Sequence, residues 1–322
     1  MNKRKKKVIG TTLVLVSPYK EVDPLKQAKK EKRRTIIRLI LIYAFLSIAG
    51  LVCVFPFYYM VAASGMTQDE ITSGKMVPDL LSFFDNLATN YYETFTRLNY
   101  MSHVGSTLLI AFTITIFQVL TTILAAFAFA RLEFKGRDVL FIAFLATMMV
   151  PGELLAITNY TTLSNMGLTG LNQNAFQAFL AVVLPLIAST FYIYLLRQNF
   201  KQIPNELYLA AKMDGTSDWK YLWKVMVPIA MPTLITITIL SIIGQWNNYV
   251  WPSLVVYNDD YTMISVIIRK GYLSLQGQDG APVLQYAWQM ASAVLTVVPL
   301  LILFIIFRKY IMKGTSRAGI KG

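Results

Sequence analysis

Few residues of this chain are equipped for covalent chemistry. It has one histidine, His103, and one cysteine, Cys53. A Ser-His-Asp triad or a histidine-rich metal site therefore has almost nothing to draw on, and a single thiol makes neither an internal disulfide nor a thiolate metal cluster. The nearest approach to a phosphate-binding loop, Gly314 to Lys321, has Ile320 where Gly-Lys is required. If ATP drives this protein, ATP and its magnesium bind on another polypeptide, and the chain itself carries no cofactor. What remains is non-covalent chemistry from uncharged polar and aromatic groups. Ser189, Thr190 and Tyr192 form one set, and Gln245, Trp246, Asn247, Asn248 and Tyr249 another. Amides satisfy hydroxyl groups without the desolvation cost of a charge, and indole or phenol rings stack on the apolar face of a pyranose, so both sets suit a neutral hydroxylated solute. The competing reading is the aromatic belt found at the ends of membrane spans, which is the better account of Trp251.

The elements that must position these groups are membrane spans. Hydrophobic residues make up 55% of the chain and charged residues 15%, with a mean hydropathy of +0.50. Soluble domains are usually about 45–50% apolar and about 25% charged. Six apolar runs, 36–62, 105–130, 139–160, 176–196, 228–250 and 288–307, are long enough to cross a bilayer once and too short to cross it twice. Half of the twelve prolines, Pro56, Pro151, Pro185, Pro228, Pro232 and Pro299, fall within or at the ends of these runs. Each leaves a carbonyl unpaired, which predicts an irregular bundle around a path or cavity.

Charge orients the spans. Residues 1–35 carry twelve Lys or Arg against three acids, 63–102 two against five, 197–227 five against three and 251–287 two against three. The turn 131–138 is net basic, 161–175 is uncharged, and five basic residues with no acid follow Phe307. Basic flanks stay in the cytoplasm, which places both termini and the 197–227 segment there. This topology accounts for the net charge of +13 without nucleic acid. The run Lys3 to Lys7 before Val8 to Val16 is not a signal peptide, because Gly10, Thr11 and Thr12 interrupt its nine apolar positions and a second basic cluster, Lys29 to Arg34, precedes the first span. Residues 1–35 read as a flexible basic arm that anchors orientation and can lie on membrane lipid.

A polar insert, residues 204–228, separates the fourth and fifth runs and reads as a helix-turn-helix. Asn205 is placed to cap the first helix, Gly215 to end it in the left-handed region, and Ser217 or Asp218 to cap a second helix running from Trp219 to Pro228. Ala210 and Ala211 keep one flank thin, while Trp219, Leu222, Trp223 and Met226 make an apolar stripe for the embedded part of the protein. The insert is a docking element, a DNA-binding motif or an ordinary amphipathic loop. Ala210-Ala211-x-x-Asp214-Gly215, with Pro228 beyond it, resembles the coupling loop of binding-protein-dependent ABC importer permeases, the "EAA" loop that docks onto the ATPase subunit.

The spans also exclude. Runs two, four, five and six contain no Asp, Glu, Lys or Arg, so an ion-coupled transporter lacks the ionisable groups it would use near the bilayer centre. Glu153, after Pro151-Gly152, is the one carboxylate placed to lie deep; it either serves a translocation path or caps the backbone opened there.

The resemblance extends over residues 36–322. Pro56-Phe57 with Ala63-Ser64, Phe127-Ala128-Phe129-Ala130-Arg131-Leu132 with Phe134-Lys135-Gly136-Arg137, Met149-Val150-Pro151, Trp246-Asn247 with Trp251-Pro252, and Gly314 with Ala318-Gly319-Ile320-Lys321-Gly322 all resemble the carbohydrate-uptake branch, most closely the shorter six-span permease of maltose-type transporters. Two positions depart from the pattern. Leu209 stands where the loop usually has Glu, with Glu206 one turn earlier as a substitute, and Gly105-Ser106-Thr107 replaces an Asn-Ser or Asn-Thr. The resemblance implies an all-α membrane protein of six transmembrane helices with a cytoplasmic coupling helix-turn-helix. It implies a second homologous permease subunit, two ABC ATPase subunits and an extracellular solute-binding protein. Glu206, Leu209, Ala210, Ala211, Asp214 and Gly215 would meet the ATPase. In maltose-type importers a loop corresponding to residues 251–287 reaches toward the binding protein's ligand cleft, which assigns that contact to Gln276, Gly277, Gln278, Asp279 and Gly280; a flexible connector is the alternative.

The expected organisation is a basic arm over 1–35, a six-span permease domain over 36–314 with its coupling loop at 204–228, and a tail over 315–322. The expected activity is import of a sugar or oligosaccharide by alternating access in the plasma membrane. A permease for an amino acid or peptide, and a channel or scaffold subunit without an ATPase, remain as alternatives.

Overall fold

The computed structural model describes the backbone of residues 7–9, 12–14, 24–270, 274–276 and 282–316, and side chains over 31–152, 154–270, 275 and 283–308. Its contacts divide it into two units, Met1–Tyr59 and Met60–Gly322.

In the first unit β1 (Lys7–Ile9) pairs antiparallel with β2 (Thr12–Val14). The long helix α1 (Pro24–Ser64) starts on a proline, where the missing N–H costs nothing. From Glu31 onward α1 is apolar enough to span, and its large side chains between Ile36 and Tyr58 are exposed, as lipid contact requires. Pro56 lies inside the helix without ending it.

The second unit opens with Ala62, Ala63 and Ser64 buried. A Thr67–Glu70 capping box starts α2 (Gln68–Thr72). Glu70 accepts hydrogen bonds from Thr67 N at 3.0 Å and Asp79 N at 3.3 Å and pairs with Lys75, which together hold its carboxyl below the usual range. α3 (Phe83–Arg97) buries Asn90 and Thr94; Asn90 Nδ2 donates to Ser64 O and Met66 O. A left-handed Asn99 (φ 44) turns the chain into α4 (Tyr100–Arg131), the central span.

Two of the expected spans are broken. α5 (Arg137–Ala146) ends in a 3-10 turn, Pro151 then forces Val150 into extended backbone, and α6 (Gly152–Asn165) leaves at 102°. α7 (Ala175–Val183), capped by Asn174 and Gln177, passes through a 3-10 turn at Leu184–Leu186, and α8 (Thr190–Gln202) follows at 46°. With each bent pair taken as one span, there are six among the described residues.

The insert forms α9 (Asn205–Met213) and α10 (Asp218–Tyr221). The second helix does not stop at Pro228. A π turn at Leu222–Met226 absorbs the missing N–H, and the path continues through α11 (Val227–Ile229) into α12 (Met231–Trp246), so the fifth span starts at Asp218. After α13 (Val250–Val255) and α14 (Ile264–Ile267), β3 (Ser274–Gln276) pairs antiparallel with β4 (Pro282–Leu284), and α15 (Tyr286–Ser316) is the last span.

Three apolar clusters hold the second unit. One, from Ile123, Phe127, Leu196, Phe200, Leu222 and Met226, sits where α4 and α8 end and the π turn begins. A second joins α4 and α7 to α13, and a third packs Leu98, Tyr100, Trp246, Ile264 and Trp288 at the opposite end of the bundle.

Candidate functional site

The insert folds as its turn residues dictate. Gly215 adopts φ +70; its N–H donates to Lys212 O at 3.0 Å, and Thr216 N–H reaches back to Ala211 O at 2.9 Å. These two bonds close α9 with the left-handed stop that glycine permits. Ser217 caps α10 through Lys220 N. The expected cap at Asn205 is absent. Pro204, with extended backbone, occupies the capping position, and Asn205 is already the first helical residue. Its Oδ1 accepts instead from Arg131 Nη1 at 3.2 Å.

α9 is stapled on one side and open on the other. The Tyr208 hydroxyl donates to Asp218 Oδ1 at 2.7 Å, Lys212 Nζ lies 2.8 Å from the same oxygen, and the Tyr208 and Tyr221 rings meet at 5.1 Å. The hydrogen bond to Asp218 pushes the Lys212 pKa up, and burial pushes the Tyr208 phenol up. Tyr208 and half-buried Ala211 face the core cluster. Glu206, Leu207, Leu209, Ala210, Met213 and Asp214 all face outward, with Met213 87% exposed. Ala210 and Ala211 thus point to different sides and do not form one thin flank. The apolar stripe is divided too: Leu222 and Met226 are buried and Trp223 is half-buried, but Trp219 is exposed, its ring edge-on to Trp223 at 5.6 Å. One helical turn of offset leaves Trp219 beyond the edge of the bundle.

The candidate path residues separate into two levels. Ser189 caps α8 at the break in span four, with Tyr192 N as donor, and Thr190 Oγ1 lies 3.5 Å from Thr147 Oγ1, which sits at the break in span three. The two broken spans therefore meet through these threonines. Carbonyls opened by the break are taken up by α4: Gln118 Nε2 donates to Leu186 O at 2.6 Å and Thr121 Oγ1 to Ile187 O at 2.9 Å. Gln118 Oε1 in turn accepts from Ser241 Oγ at 2.7 Å, and Ser241 meets Thr115 Oγ1 at 2.9 Å. All of Thr115, Gln118 and Ser241 are buried. Gln245 is one turn beyond Ser241 on the same face of α12, and Asn248 Nδ2 reaches it at 3.5 Å, so a polar seam runs between α4 and α12.

Trp246 and Asn247 turn away from this seam. Trp246 is fully buried, and its indole N–H donates to Thr296 O at 3.2 Å, which ties α12 to α15 and leaves no ring face open in this conformation. Asn247 bonds a carbonyl of its own helix, Ile243 O. Trp251 is buried rather than interfacial, donating to Ala181 O at 3.2 Å. Tyr249 lies under the Arg269 guanidinium at 4.3 Å. The side chains of Glu153 and Gln276, and all of Gly277, Gln278, Asp279 and Gly280, lie outside the described residues; the backbone of Gln276 is in β3. Sequence reasoning missed Gln118, Thr121 and Ser241. The signal available was a lone glutamine in an apolar run opposite a proline-containing one.

Comparison with known proteins bears on most of the chain. The family model described as "Binding-protein-dependent transport system inner membrane component" matches residues 118–317. The chain is 28% identical to the arabinooligosaccharides transport system permease protein AraQ of Halalkalibacterium halodurans, over 91% of this chain and 100% of that protein. It is 30% identical to the lactose transport system permease protein LacG of Rhizobium radiobacter, over 84% and 93%. With the trehalose/maltose transport system permease protein MalG of Thermococcus litoralis the identity is 27%, over 90% and 99%. A solved bacterial ABC transporter involved in the import of the acidic polysaccharide alginate shares the fold, with a TM-score of 0.73 at 22% identity over 86% of this chain and 98% of that one. A helical bundle crossed by several spans, with a stapled helix-turn-helix between two of them and a family match over most of its length, leads to one assignment: the chain is a multi-pass membrane protein that belongs to the binding-protein-dependent transport system inner membrane component family.

Proposed function

We propose that this chain is the permease subunit of an ATP-binding-cassette importer that moves a sugar or oligosaccharide into the cytoplasm. The observation that carries the proposal is α9: a helix stapled to the bundle on one side and presenting Leu209, Ala210, Met213, Glu206 and Asp214 on the other. An apolar face flanked by acids, set between two spans, is suited to a socket on an ATPase, where ATP and magnesium bind. The sugar class is supported by the relatives, whose names give arabinooligosaccharides, lactose and trehalose/maltose as their solutes. The α4–α12 seam supports it too, since its amides and hydroxyls are uncharged.

In this reading both termini and α9 are cytoplasmic, the basic 1–35 arm anchors that orientation, 36–314 is the permease domain and 315–322 its tail. A second permease subunit, two ATPase subunits and an extracellular solute-binding protein complete the assembly, the last contacting Gln276 to Gly280. Closure of the ATPases moves α9, and the bundle converts that motion into opening on the far side. Ser189, Thr190, Tyr192, Gln245 and Asn248 line the path that the solute follows.

The test is uptake of radiolabelled oligosaccharides in a strain deleted for this gene and complemented with it, together with ATP hydrolysis by the purified complex with and without the binding protein. Restored uptake of at least one sugar and stimulated hydrolysis are expected. Hydrolysis indifferent to every binding protein offered would remove the importer reading.

A further inference from the structure

We infer that Arg131 and Arg197 form a reciprocal clasp that locks α4, α8 and the docking helix α9 into one lever, so that motion of α9 is delivered to the central span without slippage.

The two arginines exchange places. Arg131, the last residue of α4, sends its guanidinium to the end of α8, donating to Phe200 O at 2.9 Å and to Ile203 O, and onward to Asn205 Oδ1 in the first turn of α9. Arg197, on α8, sends its own guanidinium back to the end of α4, donating from Nε to Phe129 O at 3.0 Å. The Arg197 guanidinium also lies 3.6 Å from the Phe141 ring and 3.6 Å from Asp138 Oδ1, which adds the start of α5. Both side chains are buried, at 9% and 5% exposure.

The chemistry suits a mechanical role. The last carbonyls of a helix have no partner within it and carry partial negative charge, so a cation bound there gains from both hydrogen bonds and the helix dipole. Arg131 meets no carboxylate among the described residues, and its ligands are backbone oxygens and one amide. A guanidinium presents several donors in a rigid plane, so it fixes three acceptors from two elements in one geometry, which a lysine cannot do. A single link would act as a pivot. Two links pointing in opposite directions between the same two helices remove that freedom, while the apolar cluster of Phe127, Leu196 and Phe200 fills the space between them.

The inference rests on the importer reading, which stands or falls separately on binding-protein-stimulated hydrolysis by the wild-type complex. Given that stimulation, spin labels are placed at Leu207→Cys on α9, an exposed residue not assigned to the ATPase contact, and Met101→Cys at the far end of α4, in a Cys53→Ser chain assembled with cysteine-free partners. The electron–electron distance is measured in the nucleotide-free and vanadate-trapped complex. A rigid lever keeps the same distance maximum in both states. A shift of that maximum in the wild-type chain overturns the inference, whatever the variants do. In Arg131→Gln and Arg197→Gln the distribution should broaden, and stimulated hydrolysis and uptake should fall several-fold with basal hydrolysis kept. Arg131→Lys should restore part of the stimulation, and the double variant should be no worse than either single one. Additive losses from the two single variants would count against a unit that acts as one.

Discussion

The docking helix and the break in span four are inverted with respect to each other. In α9 the apolar Leu209 and Met213 face outward, while the polar Tyr208 and Lys212 are engaged with Asp218 of α10. At the break the polar Gln118, Thr115 and Ser241 are buried in the bundle, and large apolar side chains such as Phe112, Ile116 and Phe117 of the same helix are exposed. Each pattern follows from what covers the surface. Exposed apolar residues of α4 face lipid, and buried amides there serve a backbone that a proline has opened. Exposed apolar residues of α9 lie on a polar insert, where neither lipid nor core explains them and where the proposed function puts an ATPase partner.

The largest expected effect breaks the docking side. Gly215→Pro demands φ near −65° where the chain holds +70° and removes the N–H given to Lys212 O, at a cost on the order of 3 kcal/mol. Stimulated hydrolysis should be lost while the protein still inserts. Asp214→Lys sharpens the point, because a cation at the C-terminal end of α9 stabilises the helix by about 0.3–1 kcal/mol and should nonetheless uncouple it. Near-normal stimulation in both variants would remove α9 from the docking role.

Next comes the break. Gln118→Leu strands Leu186 O inside the bundle, leaves Ser241 with Thr115 alone, and should cost about 2–3 kcal/mol, read as a lowered unfolding midpoint in detergent. Ser241→Ala removes two interhelical bonds, to Gln118 and Thr115, each worth about 0.6 kcal/mol in membranes, and should be milder. Equal losses from the two would mean that Gln118 does not hold the opened backbone.

A smaller effect asks how apolar the docking face is. Glu206→Ala should weaken capture of the ATPase by about 1.5 kcal/mol if the carboxylate finds a donor there, and Leu209→Glu should recover part of it. Unchanged capture from Glu206→Ala would assign the contact to Leu209 and Met213.

The smallest effect concerns the staple. Asp218 raises the Lys212 pKa, so the pair's contribution is complete below the ordinary lysine value of about 10.4 and is lost as pH rises through the higher folded value. Lys212→Met should lower stability slightly at neutral pH, less than Gln118→Leu does, and the gap from wild type should close in strong alkali. A gap that persists there would point to packing on Tyr208 instead.

Much of this was legible in one sequence. Span number and the place of the insert depend on length and apolar content, which any bilayer-crossing helix must satisfy. The stop at Gly215 and the start at Ser217 depend on local backbone preferences that two or three residues determine. Other local inferences failed because a neighbouring residue competed. Pro204 took the capping position from Asn205, and a π turn carried the helix past Pro228.

By itself, then, the sequence determined that the chain crosses a membrane and where it offers a polar helical insert, since these are properties of segments. Only the tertiary structure decided partners. Gln118 serves a carbonyl 68 positions away, Arg131 closes on Phe200 and Ile203, and Trp246 spends its N–H on Thr296 rather than on a solute. A buried polar group takes whichever unpaired backbone oxygen packing brings within reach, and that choice is made between helices, not along them.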